Sequence, residues 1–217
     1  MFIAEGVKIV SELTEGGFAI KKIYAIKDWI DQNTNVKNAT HIQEEELKKI
    51  SNFETPNKVL AIVHQKKKND IPSLENKITL VLDGIQDPGN LGTIIRIADW
   101  FGITQIVAAT DTVDVYNMKV IQATMGSFLR VQVWYKSLAA FLDKAIVPVY
   151  GALLNGKSIH DIKQIKEGLL VIGNESKGIR EHLLPLIQHP VTIPGKGNTE
   201  SLNAAVATGI ILSHVIK

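Results

Sequence analysis

The sequence of 217 residues contains no cysteine. This absence excludes disulfide bonds, thiolate metal ligands and cysteine nucleophiles, and it permits a reducing compartment. The histidines show neither an HExxH pattern nor another close ligand spacing, so we expect no metal site. No apolar run reaches the ~20 residues of a membrane-spanning helix, and Glu5 and Lys8 make the start of the chain unlike a signal peptide. We therefore expect a cytoplasmic protein with no membrane partner.

The chain also lacks an excess of either charge, because 24 lysines and arginines face 22 aspartates and glutamates, giving a net charge of +2. Bulk charge does not favour non-specific binding to nucleic acid, although a local patch can still recognise a specific RNA or DNA. The content of 45% hydrophobic and 21% charged residues is that of an ordinary globular protein. The chain is long enough to bury a sizeable core.

Residues 1–65 alternate between helical and extended patterns. Apolar periodicity predicts helices over Ala4–Leu13 and Glu44–Ile50, and apolar runs predict strands over Lys22–Ile26 and Lys58–His64. This alternation predicts a small α/β module.

Residues 66–77 have no periodicity and read as a linker between two domains. The run Lys66-Lys67-Lys68 is either an ordinary solvated surface or a contact for phosphate groups.

Residues 78–217 form the second predicted domain, in which buried strands alternate with helices. This order favours an α/β fold with a parallel sheet, whose ligands bind at the carboxyl ends of the strands. The predicted strands are Ile78–Leu82, Gln105–Ala109, Val131–Tyr135, Val147–Leu153, Leu169–Ile172 and Pro190–Ile193. The main predicted helices are Leu91–Phe101, Leu138–Ala145, Ile179–Ile187 and Ser201–Lys217.

The last predicted helix is apolar on nearly all sides, from Leu202 to Ile216. A helix of this kind must be buried on most of its surface. Since it lies at the end of the sequence, a second subunit is the simplest partner for its outer face. We therefore predict a homodimer with this helix in the interface.

The loop over residues 83–92 follows a buried strand and contains glycines, but it has neither the GxGxxG nor the GxxxxGK[ST] spacing of phosphate-binding turns. A dinucleotide-dependent oxidoreductase is therefore a weak alternative. Asn90 stands where it could cap the next helix. Arg96 lies among isoleucines and alanine and is one of only three arginines in the chain, which favours a functional cation over a solvated surface residue.

Two later loops also follow predicted strands. Gly173-Asn174-Glu175 places a carboxylate at a strand end, and no GxSxG turn is present to support a serine hydrolase. The stretch 193–203 contains two glycines, whose backbone can approach a ligand closely. Thr199, Ser201 and Asn203 lie at the start of the last helix, where backbone N–H groups lack partners. Because the strands are parallel, we predict that the three loops converge.

Together these loops resemble the three motifs of the SpoU/TrmH family of S-adenosylmethionine-dependent RNA ribose 2′-O-methyltransferases, in the SPOUT superfamily. The motifs are NLGTIIRIA at 90–98, VIGNESKGI at 171–179 and IPGKGNTESLN at 193–203. The resemblance implies a C-terminal trefoil knot that holds the cofactor S-adenosylmethionine, and a site completed across a dimer. By match to the motifs, cofactor contacts fall at Gly173, Ile193 and Leu202, and the catalytic candidates are Asn90, Arg96, Glu175, Ser201 and Asn203.

The implied reaction moves a methyl group from a sulfonium to a ribose 2′-hydroxyl, so the protein must align both groups and assist the loss of a weakly acidic proton. The resemblance implies Arg96 as the activating base. Arginine stays protonated in nearly all protein settings, so we prefer Arg96 as a cation that binds the adjacent phosphate and stabilises developing alkoxide charge. Glu175 would orient Arg96 or a neighbour, and Ser201 and Asn203 would position the substrate.

Residues 1–65 resemble the small RNA-binding module that precedes the methyltransferase domain in many relatives, although the basic segment often found before it is absent. We expect ribosomal RNA as the substrate. The alternatives are transfer RNA and an RNA-binding relative that no longer transfers methyl groups. Gly195-Lys196 replaces a bulkier apolar residue common after the proline, which changes the expected shape of the cofactor pocket.

Overall fold

Two β-sheets organise the protein, one built from each part of the chain. The structure, a computed structural model, describes residues 1–66 and 73–216. Lys67 and Lys68, and with them half of the predicted linker, lie outside the described residues. Lys66 is described, and its ammonium group lies 3.9 Å from the centre of the Phe18 ring. Within the described ranges, no helix is both long and apolar enough to cross a membrane.

The first sheet has four strands in the order β1-β4-β2-β3, of which only β2 and β3 run parallel. The strands are β1 (Phe2–Glu5), β2 (Ile20–Ala25), β3 (Ala39–His41) and β4 (Val59–Val63). The helices are α1 (Val7–Glu15), α2 (Lys27–Gln32) and α3 (Glu44–Ile50). The bounds predicted for α3 are confirmed, and its glutamate-rich first turn is supported by a capping box between Gln43 and Glu46.

The predicted helix over Ala4–Leu13 is wrong at its start. Phe2–Glu5 instead pairs antiparallel with β4, and α1 begins only at Val7. Gly6 separates the two elements with a φ of 116°, a backbone conformation that favours glycine. The extended segment buries Phe2 and Ala4, so packing against the sheet outweighs local helix propensity here. Neither α2 nor β3 was predicted.

The second sheet has six strands, all parallel, in the order β10-β8-β9-β5-β6-β7. This confirms the predicted α/β fold with a parallel sheet. The strands are β5 (Ile78–Asp83), β6 (Gln105–Ala109), β7 (Gln132–Lys136), β8 (Val149–Ser158), β9 (Gly168–Gly173) and β10 (His189–Thr192). The helices are α4 (Pro88–Trp100), α5 (Met118–Thr124), α6 (Leu138–Asp143) and α7 (Ala204–Val215), with short 3₁₀ turns at Ser127–Leu129, Ile159–Asp161 and Glu181–Leu186.

Both faces of the parallel sheet are covered, which explains the near-continuous apolar runs in its central strands. On β5, Leu80 and Leu82 point into the same core as α4, while Val81 points into a second core beneath α6. Of the segment predicted as a helix over Ile179–Ile187, Glu181–Leu186 forms a 3₁₀ helix, and Pro185 inside it has no N–H to donate to an α-helical pattern.

The two sheets are joined by direct contacts between side chains. The ring of Phe2 in β1 stacks on Tyr116 with 4.7 Å between ring centres. Arg130 of the second sheet's domain pairs with Glu12 of α1 at 3.5 Å and with Asp99 at 2.7 Å. These contacts hold the first sheet next to α4 and α5.

Candidate functional site

The three loops predicted to converge follow strands of the parallel sheet. They start after Asp83 of β5, Gly173 of β9 and Thr192 of β10, all at the carboxyl edge. β5 and β9 are neighbours, with Asp83 opposite Gly173, and β8 alone separates β9 from β10. Parallel strands therefore bring polar groups far apart in sequence to one edge, where ligands of open α/β sheets bind.

Three of the predicted site residues form one hydrogen-bonded chain. The side-chain amide of Asn90 donates a short hydrogen bond to the Glu175 carboxylate. The side-chain oxygen of Asn90 accepts a hydrogen bond of 2.8 Å from the amide of Asn203. Asn203 in turn accepts from the N–H groups of Ala205 and Val206 at the start of α7, at 3.0 and 3.2 Å. One asparagine thus links the first, second and third loops.

The sequence left open that Asn90 caps the next helix, but Asn90 does not cap α4. Asp87 caps the helix, and its carboxylate accepts a hydrogen bond of 2.8 Å from the backbone N–H of Asn90. Pro88 occupies the first helical turn, where its fixed φ suits a helix and its missing N–H has no cost. The side chain of Asn90 is therefore free to serve the site.

The start of the last helix also differs from the prediction. α7 begins at Ala204 with Asn203 as its cap, and Thr199 and Ser201 are not part of it. Ser201 is exposed and makes no hydrogen bond within the part of the chain that the structure describes. Its hydroxyl is therefore available to a ligand.

Arg96 lies on α4, about 9 Å along the helix axis and about 120° around it from Asn90. Its side chain is exposed and has no hydrogen-bond or ion-pair partner among residues 1–66 and 73–216. The structure does not bring Arg96 to Glu175, whose carboxylate contacts Asn90 instead. Arg96 stands on an exposed stripe of α4 together with Thr93 and Trp100.

The loop that carries Glu175 is a tight turn closed by two backbone hydrogen bonds between Asn174 and Gly178, of 2.8 and 3.0 Å. Gly173 precedes it, and a Cβ at this position would lie 2.2 Å from the carbonyl carbon of Gly178. Only glycine allows the backbone to turn back this closely.

Three further residues hold this loop in place, and the sequence did not single them out. The Asn174 side chain donates to the backbone oxygen of Gly84 at 2.8 Å. The backbone N–H and the guanidinium of Arg180 both donate to the buried carboxylate of Asp83, at 2.8 and 2.5 Å. The hydrogen bond to Asp83 raises the pKa of Arg180, so this guanidinium stays charged. The sequence feature that could have identified Asp83 is a charged residue at the end of an apolar strand.

Residues expected to contact the cofactor lie at the same edge. Gly173 ends β9, Ile193 directly follows β10 and is half-buried, and Leu202 stands with 45% of its surface exposed before α7. An exposed leucine and a half-buried isoleucine beside tightly turned backbone suit a purine, which needs apolar contact and backbone hydrogen bonds. The residues present therefore fit an adenosine-containing ligand.

The unusual pair Gly195-Lys196 is exposed, and a Cβ added at Gly195 would meet no atom within 4 Å. No backbone strain requires glycine there, because its φ is not positive. The loop leaves open space where relatives were expected to have a bulkier apolar side chain.

Comparison with known proteins decides the family. The model of the SpoU rRNA Methylase family matches residues 77–213, and that of the MRM3-like substrate binding domain matches residues 1–61. The chain belongs to the SpoU rRNA methylase family. This confirms the resemblance found in the three motifs.

A relative from Bacillus subtilis (strain 168), named 23S rRNA (guanosine(2553)-2′-O)-methyltransferase RlmP, is 32% identical over 99% of this SpoU family chain and 88% of its own length. Other relatives are longer. The chain spans 59% and 62% of two proteins named 23S rRNA (guanosine-2′-O-)-methyltransferase RlmB.

Solved structures of SpoU proteins share the whole fold. The methyltransferase AviRb from Streptomyces viridochromogenes, in complex with AdoMet, superposes with a TM-score of 0.87 at 26% identity, covering 99% of this chain and 89% of that one. An AdoMet-bound rRNA methyltransferase from Sinorhizobium meliloti gives a TM-score of 0.86 at 29% identity, covering 99% and 86%.

Proposed function

We propose that this SpoU family protein transfers a methyl group from S-adenosylmethionine to a ribose 2′-hydroxyl of ribosomal RNA. The chain of hydrogen bonds from Glu175 through Asn90 to Asn203 carries this proposal, because it ties all three family motifs into one site. Two relatives, aligned over 99% and 72% of the chain, are named for this reaction on 23S rRNA, which favours ribosomal over transfer RNA.

Gly173, Ile193 and Leu202 would hold the cofactor, with backbone groups for its polar edges and aliphatic side chains against its purine. When bound, the cofactor supplies an activated methyl group on a sulfonium. The protein therefore has to align the 2′-oxygen, exclude water and help remove the hydroxyl proton.

Asn90 and Glu175 fix the shape of the site, while the free hydroxyl of Ser201 and the amide of Asn203 position the ribose. Arg96 has no internal partner in the described chain, so its cation is available for the RNA. It binds the adjacent phosphate and stabilises negative charge as it develops on the 2′-oxygen. Its permanent charge argues against a role as the base.

Residues 1–65 would bind the RNA, residues 66–77 would link the modules, and residues 78–217 would carry the chemistry. The match of residues 1–61 to a substrate binding domain supports this division. The segment from β10 to α7 would thread a trefoil knot, as expected for the SPOUT superfamily. Such a knot would keep the second and third loops close together around the cofactor.

The protein would act as a homodimer in which α7 and the neighbouring α4 form the interface. Trp100 of α4 is 86% exposed and Val206 of α7 is 51% exposed, which is unusual for large apolar side chains. α4 and α7 pack against each other, with Ile97 within 3.5 Å of a Cβ added at Gly209. This arrangement would place Arg96 beside the second copy and let it complete the partner's site. A monomer in light scattering at micromolar concentration would exclude the dimer.

The test is methyl transfer from labelled S-adenosylmethionine to ribosomal and transfer RNA, followed by mapping of the modified ribose. Arg96→Ala is expected to lower kcat by about 10²–10³-fold, as for the loss of other groups that stabilise developing charge. Calorimetry should show nearly normal cofactor binding for this variant. Arg96→Lys, which keeps a charge but not the planar fork, should be intermediate.

Equal loss of rate and cofactor affinity in Arg96→Ala would refute the role given to Arg96. Cofactor binding without transfer to either RNA would indicate a silent RNA-binding relative. Transfer to transfer RNA alone would replace the proposed substrate.

A further inference from the structure

The loop that presents Glu175 is closed by its own backbone hydrogen bonds between Asn174 and Gly178, but these do not attach it to the neighbouring strands. Its two ends are fastened to the end of β5 by side chains. On one side Asn174 donates to the backbone oxygen of Gly84, and on the other Arg180 donates to Asp83. Asn174 lies in the second family motif and Arg180 directly follows it, so both attachments join this motif to the end of the strand that leads into the first.

Arg180 makes more contacts than Asn174 in attaching the loop. Its guanidinium spans two carboxylates: it pairs with Asp83, whose side chain is fully buried, and with the half-exposed Asp111 at 3.3 Å. Asp83 ends β5 and Asp111 follows β6, so Arg180 ties the second loop to two neighbouring strands. A planar guanidinium directs N–H groups from separate nitrogens to both carboxylates at once, whereas an ammonium group has its three donors on one nitrogen and lacks this fork.

We propose that Arg180, through Asp83 and Asp111, is a positioning residue that holds Glu175 against Asn90. Arg180 lies five residues after Glu175 and touches none of Asn90, Ser201 or Asn203 through a hydrogen bond. It acts on the reaction only by fixing the loop. The expected effect of Arg180 on the reaction rate rests on the proposed function. Its effect on the contact between Glu175 and Asn90 does not.

The consequence passes along the hydrogen-bonded chain. Glu175 occupies the side-chain N–H of Asn90, which fixes the amide so that its oxygen faces Asn203. If the loop shifts, Asn90 can rotate and Asn203 loses its acceptor. Glu175, Asn90 and Asn203 should therefore respond together when Arg180 is changed.

The test uses Arg180→Gln and Arg180→Lys in the full chain. The lysine keeps a charge beside buried Asp83, so it guards against a variant that fails to fold. Arg130→Lys is the matched control, because Arg130 makes the same forked contact with Asp99, at the opposite end of α4 from Asn90. Glu175→Gln provides the reference for a weakened bond to Asn90.

The first readout is the side-chain amide resonance of Asn90, measured by NMR without substrate. We expect it to move in Arg180→Gln towards its position in Glu175→Gln, to move less in Arg180→Lys, and to stay in place in Arg130→Lys. An unchanged resonance in folded Arg180→Gln would overturn the proposal, whatever the protein's activity.

The second readout is methyl transfer at saturating cofactor and RNA. We expect kcat to fall about ten- to a hundredfold in Arg180→Gln, since a misplacement of ~1 Å can cost ~10²-fold, with partial recovery in Arg180→Lys. The number of cofactor sites per chain, measured by calorimetry, should stay constant, which separates positioning from loss of folded protein. A kcat equal to that of Arg130→Lys would overturn the kinetic consequence. Absence of transfer in the unmodified protein would instead refute the proposed function, and the NMR result would still decide the role of Arg180.

Discussion

Asn203 shows how much a single amide can do at the residue scale. Its oxygen accepts from two backbone N–H groups at the start of α7, and its nitrogen donates to Asn90. The first role stabilises a helix and the second shapes the site. An asparagine places its acceptor and its donor on two separate atoms of one planar group, whereas serine has a single oxygen and an ionised aspartate only accepts.

The two roles of Asn203 can be separated by substitution. Asn203→Asp should keep the cap, since aspartate caps helices as well as asparagine, and should lose the hydrogen bond to Asn90. We expect its free energy of unfolding to stay near that of the unmodified protein while methyl transfer drops. Asn203→Ala should lose both activity and about 1 kcal/mol of stability.

Urea unfolding and initial-rate assays on the two variants would check this separation. If Asn203→Asp were as active as the unmodified protein, the donor to Asn90 would have no role in the reaction.

The sequence alone predicted the loops at this scale but not their contacts. Parallel strands place residues 90, 175 and 203 at one edge, which made convergence predictable. The hydrogen-bond partner of Glu175 could not be predicted, because the sequence spacing allows a contact with either Asn90 or Arg96. Only the turn of α4 after Asp87 decides which side chain faces the second loop.

At the scale of elements, the turn after β9 depends on a close approach of backbone. A Cβ on Gly173 would meet the carbonyl carbon of Gly178 at 2.2 Å, so Gly173→Ala must open the turn or shift the strand. We expect Gly173→Ala to lose about 1–3 kcal/mol of stability, the usual range for overpacking, together with cofactor affinity.

Gly195→Ala is the matched control for stability, because an added methyl there meets nothing within 4 Å. Its free energy of unfolding should change by less than about 0.5 kcal/mol. Chemical unfolding of both variants and calorimetry with the cofactor would measure these effects. Equal stability of the two variants would contradict the steric role of Gly173.

Elements of strong local pattern were the ones that the sequence predicted well. β6 has the predicted bounds Gln105–Ala109, since its fully buried run has only one reading in a parallel sheet. The start of the chain failed because β1 is specified by its pairing with β4, some sixty residues later, and not by its own periodicity. α2, with six residues, is too short for periodicity to reveal.

At the scale of the whole molecule, the contacts between the two sheets set the position of the first sheet relative to the site. Phe2, Tyr116 and Phe128 supply the apolar part, and Glu12, Arg130 and Asp99 supply the charged part. Gly126 packs closely at these contacts, since a Cβ there would lie 2.3 Å from a Glu12 carboxylate oxygen. An RNA bound to the first sheet would therefore reach the site at a fixed distance.

The charged part of this joint should make stability depend on pH. Burial raises the pKa of Asp99, but hydrogen bonds from Arg130 and Ser127 and the charge of Arg130 outweigh it, so the pKa lies below its ordinary value of 3.8. A carboxylate whose pKa is lowered by folding stabilises the folded state at pH values above its unfolded pKa. This stabilisation is lost as the pH falls through the folded pKa.

We therefore expect the difference in unfolding free energy between the unmodified protein and Asp99→Asn to be full above pH ~4 and to shrink below it. Because Arg130 is half exposed, the effect should be at most about 1 kcal/mol. Asp31→Asn, which removes an exposed pair with Lys27 within one helix, is the control. Thermal unfolding between pH 3 and 7 would measure it, and a difference that does not shrink in acid would exclude this contribution.

The hydrogen bonds of the site also fix when it can exist during synthesis. Asn90 and Glu175 are 85 residues apart, and Asn90 and Asn203 are 113 apart. β5 cannot pair with β9 until Gly173 has left the ribosome, and α7 follows later still. A ribosome making this protein therefore carries a chain whose first sheet is complete but whose candidate site is not yet assembled. Long-range parallel pairing of this kind is slow to form, so activity should appear only after α7 has left the ribosome.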